Sequence, residues 1–329
     1  MTQERAAVVT GAGGFIGSHL VERLLADGWC VRALVHYHSS SGWGWLEPHR
    51  ETRTTGLEVI RGDVTDPAQM RDCVEGREVV FHLAALISVP YSFQAPRAVF
   101  ETNLMGTVNL LEAAREADVG RFVLMSSSEV YGSARQIPMD EAHPLQAQSP
   151  YAASKIAAEK AAESFSRSFG LSSVVVRAFN TFGPRQSTRA IVPTIITQAM
   201  RRKVVELGTL EPVRDLNYVD DTVNGLVAAA LAGDEVSGQA VNVGRGEGIS
   251  IGDLAKLICE LVGRSFQVEL DERRVRPEAS EVNRLVCDHR KAEEMLGWRP
   301  RISLREGLQR TISWIRQHPE HFPTLDYQV

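Results

Sequence analysis

Tyr151 and Lys155 stand four apart in Tyr151-Ala152-Ala153-Ser154-Lys155, so on a helix they lie one turn above each other on one face. An ammonium held beside a phenol favours the phenolate, which would draw the tyrosine down from about 10 and make Tyr151 a base near neutral pH. Upstream runs Ser126-Ser127-Ser128-Glu129-Val130-Tyr131-Gly132. Ser127 falls where a strand should end, placing its hydroxyl to hydrogen-bond the oxygen that Tyr151 deprotonates. Glu129 adds a second titratable group two residues on, more than alcohol oxidation alone requires. By itself, Tyr-x-x-x-Lys more often marks a packed tyrosine and a solvated lysine. Here it is accompanied by a Gly-rich turn near the N-terminus, a Ser-rich strand end and Pro150 directly before the tyrosine, which together favour a catalytic pair.

Such a pair needs a scaffold, and the start of the chain supplies one. Ala6-Ala7-Val8-Val9-Thr10 reads as a buried parallel strand. Gly11-Ala12-Gly13-Gly14-Phe15-Ile16-Gly17 follows, and helical periodicity runs from Ser18 to Ala26. Glycines at 11, 14 and 17 allow a sharp turn and close approach to a pyrophosphate, whose charge the helix N-terminus receives. Between a strand and a helix this is a strong dinucleotide-binding signal. The second strand, Val31 to Val35, runs into His36-Tyr37-His38. It carries no acid for a ribose 2′-hydroxyl and no arginine for a 2′-phosphate, so NAD and NADP both stay open. The third strand, Leu57 to Arg61, ends in Gly62-Asp63. Asp63 suits either an adenine amino group or the cap of a helix starting near Pro67. Val79 to Ala85 holds the fourth strand and its exit, where small Ala84 and Ala85 let a dinucleotide pass close to the sheet. His82, inside that apolar run, reads as a packed, hydrogen-bonded core histidine. Ile87 to Ser92 then faces a substrate.

Ser39 to Thr55 contains Gly42-Trp43-Gly44-Trp45-Leu46, too apolar for an idle loop. It suits a hydrophobic clasp, a flap over a cofactor or a subunit contact. Arg97 to Ala117 reads as one long helix, apolar on more than one side, which needs a partner beyond its own sheet. Pairing with the Tyr151 helix across a two-fold axis predicts a homodimer built on a four-helix bundle. Arg121 to Met125 and Ser173 to Arg177 complete six strands. The fold class is therefore α/β, a Rossmann-type doubly wound parallel sheet in residues 1–178. Residues 179–329 form mainly a smaller substrate-binding lobe, with some segments returning to the first domain. Strands at Val204 to Leu207 and Val241 to Val243 alternate there with helices near 191–200, 219–231, 251–262 and 304–316. Arg214-Asp215 and Arg276-Pro277-Glu278 lie in its loops, where a guanidinium grips a diphosphate bidentately or forms a surface salt bridge.

Composition excludes several other classes. A net charge of −5 with scattered Lys and Arg argues against nucleic acid. Cys30, Cys73, Cys259 and Cys287 lack metal or disulfide spacing, so no metal is expected and a reducing cytoplasm fits. Neither an apolar leader nor a membrane-length apolar run is present, so the protein is expected to be soluble.

With these residues in place, the chain resembles the extended short-chain dehydrogenase/reductase family, in its NAD-dependent nucleotide-sugar epimerase/dehydratase branch. The matching stretches are Thr10 to Gly17, Gly62-Asp63, His82 to Ala85, Tyr151 to Lys155, Arg177 to Arg185 and Arg214 to Asp221. Trp43 to Leu46, Pro90 to Phe93, Gly183 to Ser187 and Arg274 to Val282 look most like N-acetylhexosamine nucleotide 4,6-dehydratases of the legionaminic-acid type. That resemblance implies NAD as cofactor, with NADP not excluded. It implies cofactor contacts from Gly11, Gly14, Phe15, Ile16, Gly17, His36, Asp63, Val64, Leu83, Ala84, Ala85, Tyr151, Lys155 and Ala178. Ser88, Tyr91, Asn180, Arg185, Val192, Arg214 and Arg276 are implied for the nucleotide sugar, GDP- or UDP-linked N-acetylglucosamine.

The implied catalytic residues are Ser127, Ser128, Glu129, Tyr151 and Lys155. Tyr151 with Ser127 deprotonates the sugar 4-hydroxyl while hydride leaves C4. Glu129 takes the proton at C5, water leaves from C6, and hydride returns to C6. Glucose-nucleotide dehydratases of the branch carry Asp-Glu where this chain has Ser128-Glu129. A serine is no strong acid, so Ser128 is at most an orienting group and Glu129 does both jobs. A 4-epimerase would need no base for C5, and a nucleotide-sugar uronate decarboxylase also resembles the Ser-Glu pattern. A non-catalytic NAD(P)-binding sensor or scaffold usually loses the tyrosine or lysine that this chain keeps.

Overall fold

The computed structural model describes residues 5–37, 42–275 and 277–322. The strands are β1 (Ala6–Thr10), β2 (Cys30–His36), β3 (Leu57–Gly62), β4 (Val79–His82), β5 (Arg121–Ser127), β6 (Ser173–Ala178), β7 (Asn180–Phe182), β8 (Val204–Leu207), β9 (Val213–Tyr218), β10 (Gln239–Val243), β11 (Gly248–Ser250) and β12 (Gln267–Leu270). The helices are α1 (Phe15–Ala26), α2 (Glu47–Thr52), α3 (Pro67–Val74), α4 (Val89–Gln94), α5 (Pro96–Phe100), α6 (Gly106–Glu116), α7 (Pro150–Phe169), α8 (Ile191–Arg201), α9 (Val219–Leu231), α10 (Ile251–Val262), α11 (Arg290–Leu296) and α12 (Leu304–Gln317).

Seven parallel strands make the main sheet, ordered β10-β6-β5-β4-β1-β2-β3. Their side chains alternate between two buried layers, as a doubly covered sheet requires. Val8, Leu34, Val80, Phe122, Leu124 and Val175 enter one layer. Ala7, Val9, Val31, Ala33, Phe81, Val123, Val174 and Val176 enter the other. The architecture is a Rossmann-type α/β fold. A three-stranded sheet, β11-β9-β7, and a two-stranded one, β12-β8, build the smaller lobe with α8, α10 and α12.

Two expectations are corrected. Val241–Val243 belongs to the seventh strand of the main sheet, where β10 pairs with β6; its short apolar run is equally suited to either sheet. The helix expected from 97 to 117 is interrupted by a π turn over Glu101–Met105. Asn103 sits in that widened turn and is fully engaged. It accepts from Leu86 N at 2.7 Å and donates to Leu86 O at 3.0 Å and Ser154 Oγ at 2.9 Å, tying the exit of β4 to α7.

Trp43 to Leu46 forms a clasp. Trp45 N donates to Gly13 O at 3.0 Å, and Gly44 has φ +62°, with room for no side chain because a Cβ would lie 2.4 Å from Gly13 O. The Trp45 ring packs edge-on to Trp314 at 5.5 Å and to His321 at 4.6 Å. The glycine-rich turn is thereby fastened to the C-terminal helix.

Candidate active site

Gly11 takes φ +68°, and a Cβ there would meet Ala84 N at 2.9 Å; one on Gly17 would meet Gly11 O at 2.2 Å. These glycines let the turn fold on itself and lie against the exit of β4. Gly14 caps α1 with no side-chain hydrogen bond, and the first turn holds no acid. The helix therefore presents its first N–H groups, including those of Phe15 and Ile16, with no side chain competing for them, which fits a dinucleotide pyrophosphate.

Beneath it, the Thr10 hydroxyl accepts from Leu83 N and Ala84 N, each at 3.1 Å. Its one proton then goes to His82 Nδ1 at 2.8 Å. His82 Nε2 donates to Thr107 Oγ1 at 3.0 Å, and that hydroxyl donates to Asn103 O at 2.6 Å. Burial, with the Lys155 charge beside it, pushes His82 down to about 3. It is a neutral, doubly bonded core histidine, as the sequence suggests.

His36 is exposed at the tip of β2, 3.9 Å from Asp63. Asp63 closes a turn by accepting from Thr65 N and Thr65 Oγ1 at 2.9 and 2.8 Å. The helix-cap alternative for Asp63 is corrected, since Asp66 caps α3 by accepting from Ala68 N and Gln69 N. Val64 and Ala178 are buried, and Ala85 lies beside Ala84 in the irregular exit of β4.

Tyr151 and Lys155 lie in the first turns of α7, a helix started by Ser149, which accepts from Ala152 N at 3.1 Å, and by Pro150. Ser127 is the last residue of β5. Its Oγ accepts from Glu129 N at 3.2 Å, closing the turn that carries the carboxylate. The Ser127 hydroxyl also hydrogen-bonds the Tyr151 phenol, and Glu129 is close enough to act on that phenol electrostatically.

The expected lowering of Tyr151 is corrected. Burial pushes the phenol up to about 12; the Ser127 bond works against this, and the Glu129 charge reinforces it. Lys155 is buried, gives its ammonium to Met125 O at 2.7 Å, and is driven down to about 8 by burial against the opposing pull of Glu159. Lys155 thus meets β5 two residues before Ser127, and its charge is sustained by Glu159. Ser128 is buried at 2% exposure.

The substrate residues divide. Asn180 leaves its side-chain oxygen buried and without a donor, an acceptor that fits a sugar hydroxyl. Ser88 caps α4 by accepting from Tyr91 N at 3.2 Å, and Tyr91 is half-buried. Arg214 is buried and pairs with Glu281 at 3.1 Å. Asp215 accepts from Arg245 N, Gly246 N and Cys287 N, stitching three segments, and burial raises it to about 6.

Two further residues assigned to the substrate have their side chains engaged within the protein. Arg185, at φ +70°, turns its guanidinium to Ser18 Oγ at 3.1 Å and Glu22 Oε1 at 2.8 Å on α1. The Val192 side chain is core at 1% exposure. Arg276 lies outside the described residues. Among the described residues, no group of three His, Cys, Asp or Glu is placed to hold a metal. Sequence reasoning missed Thr10, Ser126 and Glu159; Glu159 follows Lys155 at the same four-residue interval that singles out Lys155 after Tyr151.

Comparison with known proteins shows the family. The family model described as GDP-mannose 4,6 dehydratase matches residues 8–311. The chain is 36% identical over 315 residues to a UDP-glucose 4-epimerase of Mycolicibacterium smegmatis, covering 94% of this chain and 98% of that one. It is 33% identical over 332 residues to UDP-glucuronic acid decarboxylase 1 of Xenopus tropicalis, covering 97% and 74%. The structure of a double mutant of DesIV, a dTDP-glucose 4,6-dehydratase from Streptomyces venezuelae with NAD and DAU bound, superposes with a TM-score of 0.87 at 30% identity, covering 97% and 99%. With its glycine turn, its Tyr-Lys pair and this span of likeness, the chain belongs to the GDP-mannose 4,6-dehydratase family, among the nucleotide-sugar dehydratases, epimerases and decarboxylases.

Proposed function

We propose that this chain is a nucleotide-sugar 4,6-dehydratase that converts GDP- or UDP-linked N-acetylglucosamine to its 4-keto-6-deoxy derivative, with NAD as resident cofactor. NAD would be held by the glycine turn from Gly11 to Gly17, by His36 and Asp63 at the strand tips, and by Leu83 to Ala85, Tyr151 and Lys155. When bound, it accepts a hydride from C4 and gives it back at C6. Burial holds the phenol at about 12, and the positive charges of the bound nicotinamide ring and of Lys155 would draw it toward the phenolate that the next step needs. Tyr151, with Ser127 sharing its hydrogen bond, takes the proton of the sugar 4-hydroxyl. The resulting ketone acidifies the C5 proton, Glu129 removes it and passes it to the departing C6 hydroxyl, which leaves as water, and C5 takes up a replacement proton from solvent as C6 is reduced, balancing the proton that Tyr151 took from the 4-hydroxyl. Ser88, Tyr91, Asn180, Arg214 and Arg276 are the proposed contacts to the nucleotide sugar.

The observation that supports this reading over a simpler oxidation is Glu129, carried by the Ser127 turn and felt electrostatically by the Tyr151 phenol. The relative named as a 4-epimerase keeps a second reading in view, in which the ketone is only re-reduced at C4. Incubating the purified protein with NAD and each nucleotide sugar, then weighing the products, separates them. Loss of one water supports the dehydratase, unchanged mass with inverted C4 supports the epimerase, and loss of CO2 from a uronate supports a decarboxylase.

A further inference from the structure

We propose that Glu159, together with Arg177, is a positioning residue for the reaction: it holds Lys155 and the end of β5 in one electrostatic frame. This rests on the reading of Tyr151 and Lys155 as the catalytic pair. Tyr151, Lys155 and Glu159 follow one another at four-residue intervals on the buried face of α7. Glu159 is 4% exposed, and both its oxygens are engaged. Oε1 accepts from Ser126 Oγ and from Arg177 Nε at 3.1 Å, and Oε2 accepts from Arg177 Nη2 at 2.8 Å. Arg177 Nη1 continues to Tyr131 Oη at 3.0 Å, and Tyr131 donates to Asn242 Oδ1 at 2.6 Å.

Ser126 lies between Met125, whose carbonyl receives the Lys155 ammonium, and Ser127, which bonds the phenol. One carboxylate therefore fixes the spacing between the strand end that carries Ser127 and the helix that carries Tyr151. It is also the negative charge that opposes the discharge of Lys155 by burial. Around Lys155 the titratable and charged groups are Tyr151 and Glu159 on α7, His82 on β4, Glu129 beyond β5 and Arg177 on β6. His82 is neutral there. Arg97 and Glu101, on α5 and the π turn, pair with each other at the surface; Glu112, Arg115 and Glu116 on α6 are exposed.

A buried ion pair loses stability when one partner is removed and much less when both are replaced together, so structural and electrostatic roles can be separated. Glu159→Gln and the double variant Glu159→Gln/Arg177→Met are compared with wild type, with Lys155→Met as the reference for the reading itself. The measurement is the pH dependence of first-turnover reduction of bound NAD by a nucleotide sugar, followed by absorbance, alongside urea midpoints. The expected result is that Glu159→Gln displaces the alkaline limb about one pH unit below that of wild type, because the ammonium discharges earlier, and that the double variant, which also removes the Arg177 cation, regains most of the lost stability and part of that displacement. A Glu159→Gln protein whose profile superposes on wild type overturns the positioning role and leaves the catalytic pair standing. A Lys155→Met protein that reduces NAD at the wild-type rate overturns both.

Discussion

Burial governs Tyr151, Lys155 and His82, in directions that local sequence cannot supply. The phenol is raised to about 12, Lys155 is lowered to about 8 and His82 to about 3. For His82 the consequence for stability has a definite sign. Its folded value lies below its unfolded value of about 6.5, so the unfolded chain binds a proton that the folded chain refuses. The contribution is fully present above about pH 6.5 and is lost as pH falls from there toward 3. Urea unfolding at pH 7 and pH 5 should show a His82-dependent slope of at most about 1.4 kcal/mol per pH unit. His82→Gln should lack that slope, at a cost of roughly 1–3 kcal/mol at pH 7 from the Thr10 and Thr107 hydroxyls it leaves poorly bonded. An unchanged slope would remove His82 from the account. The Tyr151 and Lys155 spacing was legible because it is local. Glu159, which sustains the Lys155 charge, was not singled out, because its own partners Ser126 and Arg177 arrive from strands distant in the chain.

Among the elements, glycine turn, sheet edge and catalytic helix were all readable from period and caps. Parallel strands announced themselves as short apolar runs, and Pro150 behind Ser149 marked the start of α7. Two features were hidden. β10 is too short and ordinary to reveal which sheet it joins, since β6 chooses it by tertiary pairing. The π turn depends on Asn103 finding Leu86 and Ser154, contacts with no local periodic signature. The tryptophan segment was recognisable as apolar, but its target, the C-terminal helix, was not. Because Trp45 meets Trp314 edge-to-face at 5.5 Å, Trp45→Ala and Trp314→Ala should each destabilise the chain by about 1–3 kcal/mol. A double-mutant cycle should return a coupling of about 0.5–1.5 kcal/mol. Trp45→Ala should also weaken NAD binding, measured by titration calorimetry, since the clasp is bonded to Gly13. Additive effects with unaltered NAD affinity would reduce the clasp to a surface contact.

At the scale of the whole molecule, two helices keep exposed apolar side chains. Met105 and Phe169, at 48% and 53% exposure, lie beside α6 and at the end of α7, so these helices keep apolar side chains that their own sheet does not cover. We propose that two copies join through them in a four-helix bundle. Light scattering should give the mass of a dimer, and Met105→Glu should shift it toward monomer; a monomeric wild type contradicts the arrangement. Among the described residues, no helix is long and apolar enough to cross a membrane.

The most direct test of the dehydratase proposal is a single turnover of Glu129→Gln with NAD and the nucleotide sugar that wild type dehydrates, observed together by nicotinamide absorbance and product mass. The account predicts that reduced nicotinamide forms and persists while the sugar keeps its water. Release of the deoxy product by that variant at the wild-type rate would contradict it.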